Sequence, residues 1–177
     1  SRAAGRREVE GAPLRFYLGP MSCVVPVILG TAREGRYSGK VAHFLLEEVQ
    51  KHPEVQSELI DVRDYRVPAT DNTQKSAAAK KLAKKIEKAA GLIIVSPEYN
   101  HGYPGELKML LDLLYKQYFR KPVLLCGVSA GGLGGARCVE QLKLVANELH
   151  MVPTSSSLYF SKVRELFDES GTIQEES

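Results

Sequence analysis

The chain has 177 residues, 44% of them hydrophobic and 25% charged, with a net charge of +3, enough for one domain with its own core and ordinary for a globular protein. Setting aside residues 1–20, where four arginines face two glutamates, leaves 20 basic and 19 acidic residues. A near-neutral body excludes the electrostatic footprint of a nucleic-acid or anionic-membrane binder, and no apolar run approaches membrane-spanning length.

Residues 1–20 read as a leader or appended segment, expected to be poorly ordered and without chemistry. The chain opens with Ser1, its first methionine is Met21, and no long apolar stretch marks a secretory signal. The domain is expected over residues 21–168, with a polar tail at 169–177. Cys23, Cys126 and Cys138 are an odd number without CxxC spacing, and read as reduced thiols of a cytoplasmic protein.

Val24 to Leu29 is an apolar run ending at Gly30, the pattern of a buried parallel strand. Pro26 belongs near its start or beside a bulge, because it has no amide for the ladder. After the turn Gly30 to Ser38, Val41, Leu45 and Val49, with Phe44 alongside, mark a helix that stops near Pro53. Val55 to Val62 alternates as a second strand, and Arg63 to Thr73 is a loop. Gln74 to Ala90 predicts an amphipathic helix, with Ala79, Leu82, Ala83, Ile86 and Ala90 inward and a lysine-rich face in solvent. Leu92 to Val95 is a third strand, ended by Ser96-Pro97. Beyond the loop Glu98-Tyr99-Asn100-His101-Gly102-Tyr103, Leu107, Leu110, Leu111 and Leu114 trace one face of a third helix. Val123 to Val128 is a fourth strand and Ser129 to Gly135 a glycine-rich turn. Val139, Leu142, Val145, Ala146 and Leu149 mark a fourth helix. Met151 to Phe160 allows a fifth strand, and Val163 to Phe167 a short helix. This alternation predicts an α/β three-layer sandwich, a five-stranded parallel sheet with helices on both faces.

Three loops carry candidate chemistry. After the first strand, Gly30 allows a tight turn, Thr31 and Ser38 offer hydroxyls, and Arg33 or Arg36 offers charge beside a helix N-terminus. That set suits a phosphate, although a plain turn and cap would use the same residues. The loop is neither GxGxxG nor a P-loop. After the third strand, two tyrosines and Asn100 suit a planar heterocycle, or a turn whose tyrosines pack locally. After the fourth, the glycines permit close backbone approach, or simply a flexible turn. In a sheet of order 2-1-3-4-5 these loops meet at the switch point where α/β proteins hold ligands.

The segments GTAREGRYSGKVA, SPEYNHGYPGELKMLLD and KPVLLCGVSAGGLGGARCVEQL, in this order and spacing, resemble the NADPH-dependent FMN reductases. That family has a flavodoxin-like fold and includes quinone, azo-dye and chromate reductases; the resemblance covers about Val24 to Asp168. It implies that Thr31, Arg33 and Ser38 hold the FMN phosphate, with Arg36 or Tyr37 close by. Pro97, Glu98, Tyr99 and Asn100 would line the flavin ring, and Ser129, Gly131 and Gly132 would flank its other side. The chain departs from the family pattern at Arg36, where many members have serine, and at Ala130, where some have an aromatic residue.

The resemblance also implies NADPH or NADH as co-substrate, with hydride passing to FMN and then to a small acceptor. A quinone is foremost, with an azo dye, free flavin or a metal oxyanion behind it. No side-chain acid or base is required; His101 is either an assistant in protonation or an ordinary loop histidine. A homodimer or homotetramer is implied as well. Tyr103, Met109, Leu113 and Tyr115 exceed one core stripe, and would be buried against a partner or deeper in the monomer. Two rival readings stand beside this one: a flavodoxin-type electron carrier, and a flavodoxin-like regulatory module without flavin.

Overall fold

The computed structural model describes residues 23–70, 73–168 and 171–174; the leader expected at residues 1–20 lies outside them. Among the described residues, eight short strands follow in chain order: β1 (Cys23–Val24), β2 (Val27–Leu29), β3 (Val55–Gln56), β4 (Leu59–Asp61), β5 (Leu92–Pro97), β6 (Pro122–Val128), β7 (Val152–Pro153) and β8 (Leu158–Phe160). Five α-helices alternate with them: α1 (Ser38–Gln50), α2 (Ala77–Lys88), α3 (Gly105–Leu111), α4 (Ala136–Glu148) and α5 (Val163–Leu166).

All pairings between these strands are parallel, in the order β4-β2-β5-β6-β7, with β8 also on β6 and β1 paired to β3. Three of the five expected strands are thus each broken in two, and joining the pieces gives 2-1-3-4-5. Pro26 makes the first break: it cannot donate, yet its carbonyl accepts from Ile93 at 3.1 Å and the strand resumes with Val27 donating to Glu58. The second strand breaks opposite it, where the Ser57 hydroxyl donates to the Val25 carbonyl at 2.6 Å.

β5 is buried along its whole length, as a central parallel strand must be. Alternate side chains divide the core. Ile28, Ile60, Ile94 and Leu125 face α2, α3 and α4. Val27, Leu29, Val95, Cys126 and Val128 face α1 and the C-terminal segment, including Phe160, Val163 and Phe167. Ser76 caps α2 by accepting from the Ala79 amide at 3.1 Å, a start signal inside the expected helix that moves its beginning from Gln74 to Ala77. Ala90, assigned to the inner stripe, is exposed, and Ala89 is buried instead. Among the described residues no helix is long and apolar enough to cross a membrane.

The third helix is shorter than its leucines suggest. α3 ends at Leu111; Leu113 and Leu114 are buried from the following turn, and a 3-10 turn covers Lys116–Tyr118. Leu113 is therefore core, whereas Tyr115 stays exposed in an edge-on aromatic group with Phe119 and His150. Residues 171–174 fold back: Phe167 bridges to Ile173, which packs on the core.

Gly127 lies beneath the fourth-strand loop, and a Cβ there would sit 2.5 Å from the Gly134 carbonyl oxygen and 2.8 Å from that of Gly135. Both opposing groups are backbone, so neither can swing aside. Gly127→Ala should destabilise the fold by about 3 kcal/mol or more, read as a lower denaturant midpoint. A loss below about 1 kcal/mol would show that the loop can lift off β6 at little cost.

Candidate functional site

The carboxyl ends of β2, β5 and β6 open into a cleft of about 280 Å³, lined by Arg33, Arg36, Tyr37, Ser38, Pro97, Glu98, Tyr99 and Ser129, and also by Gly35, Val128, Ala130, Val163 and Arg164. Of the residues expected at the site, these first eight converge. The others do not line it, and each has a local reason.

Thr31 is fully buried beneath the rim, where its hydroxyl shares a hydrogen bond with the Tyr99 hydroxyl at 3.1 Å and accepts from the Arg33 amide at 3.3 Å. Asn100 and His101 both adopt positive φ, 51° and 67°, in a two-residue turn closed by Tyr99 and Gly102 bonding each other's backbones at 2.8 and 3.0 Å. That conformation suits asparagine and histidine better than most residues. Both are exposed, and the His101 carbonyl accepts from Gln141. Asn100 and His101 therefore shape the turn. Gly131 and Gly132 are exposed with open space around them, and the Gly131 carbonyl accepts from the Ser129 hydroxyl and the Lys162 amide. The close-packed positive-φ glycines of that loop are Gly134 and Gly135. Gly30 also answers to packing: a Cβ there would meet the Val95 carbonyl and Leu107 at 2.9 Å.

The arginines divide by partner. The Arg36 guanidinium forks onto Asp61 and also donates to the Thr31 carbonyl. Arg63 donates to the carbonyls of Ala32 and Arg33 at 3.1 and 2.7 Å. Burial pushes the Asp61 carboxyl up, but Arg36 and Arg63 more than reverse it, so the group stays ionised below the usual carboxylate range. Arg33 instead lies over Tyr99, its guanidinium carbon 3.6 Å from the ring centroid. Arg164 lies over Tyr37 at 5.9 Å. No carboxylate among the described residues pairs with either.

Glu98 is the one carboxylate among the described residues that line the cleft, and it is neutralised. Arg137 donates its Nε at 2.7 Å and its backbone amide at 3.2 Å, and the Cys138 amide adds a bond, so Glu98 caps the first turn of α4. Burial pushes this carboxyl up; the Arg137 and amide bonds outweigh it and hold it below the ordinary value. Burial also pushes the Cys126 and Cys138 thiols up to about 12 and about 11, far from reactive thiolates.

Ser38 opens α1, which has no side-chain cap. It is 2% exposed, and its hydroxyl has no hydrogen-bond partner. A buried hydroxyl left unpaired costs about 1–3 kcal/mol. This one sits at a helix N-terminus in the wall of a cleft with two arginines that no carboxylate among the described residues pairs, which fits the phosphate of a bound group. The other orphan, the Tyr118 hydroxyl, belongs to the core and not to the cleft lining. Sequence reading missed Val163 and Arg164, whose one local signal is the short amphipathic pattern after β8.

Residues 24–165 match the family model for NADPH-dependent FMN reductase. The chain belongs to that family. It is 35% identical to an NAD(P)H-dependent FMN reductase of Schizosaccharomyces pombe, over 75% of this chain and 70% of that one. It is 34% identical to a quinone reductase of Escherichia coli, over 68% of each. In fold it resembles a flavoenzyme NAD(P)H:(acceptor) oxidoreductase of Paracoccus denitrificans, with a TM-score of 0.73, 23% identity and coverage of 85% and 86%. This FMN reductase family member is accordingly an oxidoreductase of flavodoxin-like fold that uses FMN and NAD(P)H.

The Glu98–Arg137 pair ties the loop after β5 to α4, and its pH dependence has a definite sign. Glu98 binds its proton less tightly folded than unfolded, so the pair stabilises the fold above the ordinary glutamate value of 4.5. That contribution is lost as pH falls through the depressed folded value. Glu98→Gln should lower Tm at neutral pH, with the gap to wild type narrowing steadily below about pH 4.5. A gap independent of pH would mean that the carboxylate charge does not contribute.

Proposed function

We propose that this chain reduces a small acceptor, foremost a quinone, at the expense of NAD(P)H, with FMN held in the cleft between the loops after β2, β5 and β6. The observation that carries the cofactor assignment is the buried, unpartnered Ser38 hydroxyl in a cleft also lined by two arginines without a carboxylate partner among the described residues. Ser38 and Arg33 would hold the phosphate. Pro97, Glu98 and Tyr99 would face the flavin ring on one side and Ser129 on the other, with the small Ala130 leaving that wall open.

The chemistry supplied by the flavin when bound is hydride uptake from NAD(P)H and onward reduction of the acceptor in a ping-pong cycle. The protein's part is to bind and orient. The paired Glu98 is ionised near neutrality and has no proton to give, and His101 lies outside the cleft lining. Protons for the reduced acceptor then come from solvent. Family membership favours this enzyme reading over an electron carrier or a module without flavin. The quinone reductase of Escherichia coli and an NADPH azoreductase of a Bacillus strain among its relatives support a small aromatic acceptor. Self-association as a homodimer or homotetramer belongs to the same reading, and sedimentation tests it. The free cysteines support placement in the reducing cytoplasm.

Reconstitution with FMN should give a yellow protein that NADPH bleaches under anaerobic conditions and a quinone restores. A colourless protein after reconstitution would sink the assignment. Ser38→Ala separates site from scaffold. It removes an orphan hydroxyl, so the apoprotein should gain up to about 1–3 kcal/mol in stability while its FMN affinity falls. Equal FMN affinity in the two proteins would remove Ser38 from the site. Arg33→Ala should weaken FMN binding by roughly 1.5–3 kcal/mol for each charge-assisted bond lost, read from flavin fluorescence quenching.

A further inference from the structure

We infer that Arg164, delivered from beyond the fifth strand, is a second phosphate-binding cation of the cleft. The inference rests on the reading of the cleft as a flavin site. A flavin phosphate carries close to two negative charges near neutrality, as other phosphomonoesters do. Three arginines line the cleft, but the Arg36 charge is matched by Asp61. Arg33 alone would leave the phosphate half compensated. Arg164 supplies the missing charge.

Its placement is built into the backbone. The turn before α5 is fixed to the loop after β6 by three bonds: Ser129 amide to Phe160 carbonyl at 3.0 Å, Val163 amide to Ser129 carbonyl at 3.1 Å, and Lys162 amide to Gly131 carbonyl at 3.1 Å. Lys162 takes a positive φ of 45° to make this corner. Phe160, Val163 and Phe167 are buried in the core that also holds Val41 and Leu45 of α1. The stem of Arg164 is thereby rigid, on the same sheet face as the helix whose first residue is Ser38.

The Arg164 side chain is free by comparison. It is exposed, has no carboxylate partner among the described residues, and rests over the Tyr37 ring at 5.9 Å, the outer limit of a cation–π contact. Tyr37 immediately precedes Ser38, and Tyr37, Ser38 and Arg164 all line the same cleft. Arg33 is parked in the same way on Tyr99. An anion entering between the two rings would meet an arginine from each side, the helix N-terminus and a hydroxyl already stripped of water.

Riboflavin has the same ring and lacks the phosphate, so it separates the contributions. Fluorescence-quenching titrations of the apoprotein with FMN and riboflavin should be run on wild type, Arg164→Ala and Arg164→Lys. Arg164→Ala should weaken FMN binding at least tenfold and leave riboflavin within about twofold, and Arg164→Lys should recover part of the loss. Equal losses for both flavins, or no loss for either, would overturn the assignment. So would normal FMN binding with a raised KM for NADPH alone, which would move Arg164 to the pyridine nucleotide. A wild type that binds FMN no better than riboflavin would instead defeat the phosphate reading of the cleft itself.

Discussion

Arg36 and Arg63 together take up the carbonyl oxygens of three successive residues, Thr31, Ala32 and Arg33. The rest of the site depends on that grip. A loop at a strand end exposes carbonyl lone pairs as readily as amides, and unpaired carbonyls beside an anion would repel it. Here two guanidiniums cover them, and Asp61 fixes the first guanidinium in place. The short strand β4 therefore has a task beyond widening the sheet: it ends in the carboxylate that anchors the neighbouring loop.

The same economy governs the charges around the cleft. Each ionic group there is either closed off by a partner on another element or left without an ionic partner among the described residues. Arg36 is closed by Asp61, and Glu98 by Arg137. Arg33 and Arg164 are left open over tyrosine rings. A ring face holds a cation weakly, by about 0.5–1 kcal/mol where solvent reaches it, so a phosphate can recruit the cation at small cost. On the proposed reading, aromatic parking would keep both arginines near the phosphate without the desolvated ion pair that a ligand would have to break.

How much of this the sequence disclosed follows the range of each interaction. The strand β5, its Ser-Pro stop and the turn after it were legible because periodicity and turn chemistry are local. The convergence of three loops was legible because βα alternation leaves few sheet orders. The partner of Arg36 stands 25 residues away and that of Glu98 39 residues away, so neither residue could be told from a free charge. Arg164 was hidden for another reason: it follows a strand of three residues and belongs to a helix of four, the strand held by pairing with β6 and the helix start by bonds to the loop after it, not by their own pattern.

At the glycines and the polar turn, backbone packing and turn geometry account for the residue type. Gly30, Gly134 and Gly135 are required where the backbone crosses other backbone: Gly30 at Val95 beneath the first loop, Gly134 at Tyr159 and Phe160, and Gly135 at Gly127 and Val128 beneath the third. They bring the loops down onto the sheet, and the cleft is the space left between loops so lowered. Asn100 and His101 act likewise: their positive φ angles turn the chain back so that Tyr99 and Pro97 face inward while their own side chains face solvent. Local strain of this kind persists only where surrounding bonds over-determine it. The paired backbone bonds of Tyr99 and Gly102, and Gln141 on the His101 carbonyl, supply that restraint. On the proposed reading, recognition would fall to a few side chains, Ser38, Arg33 and Tyr99 among them, with the positive-φ residues Asn100 and His101 outside the cleft lining.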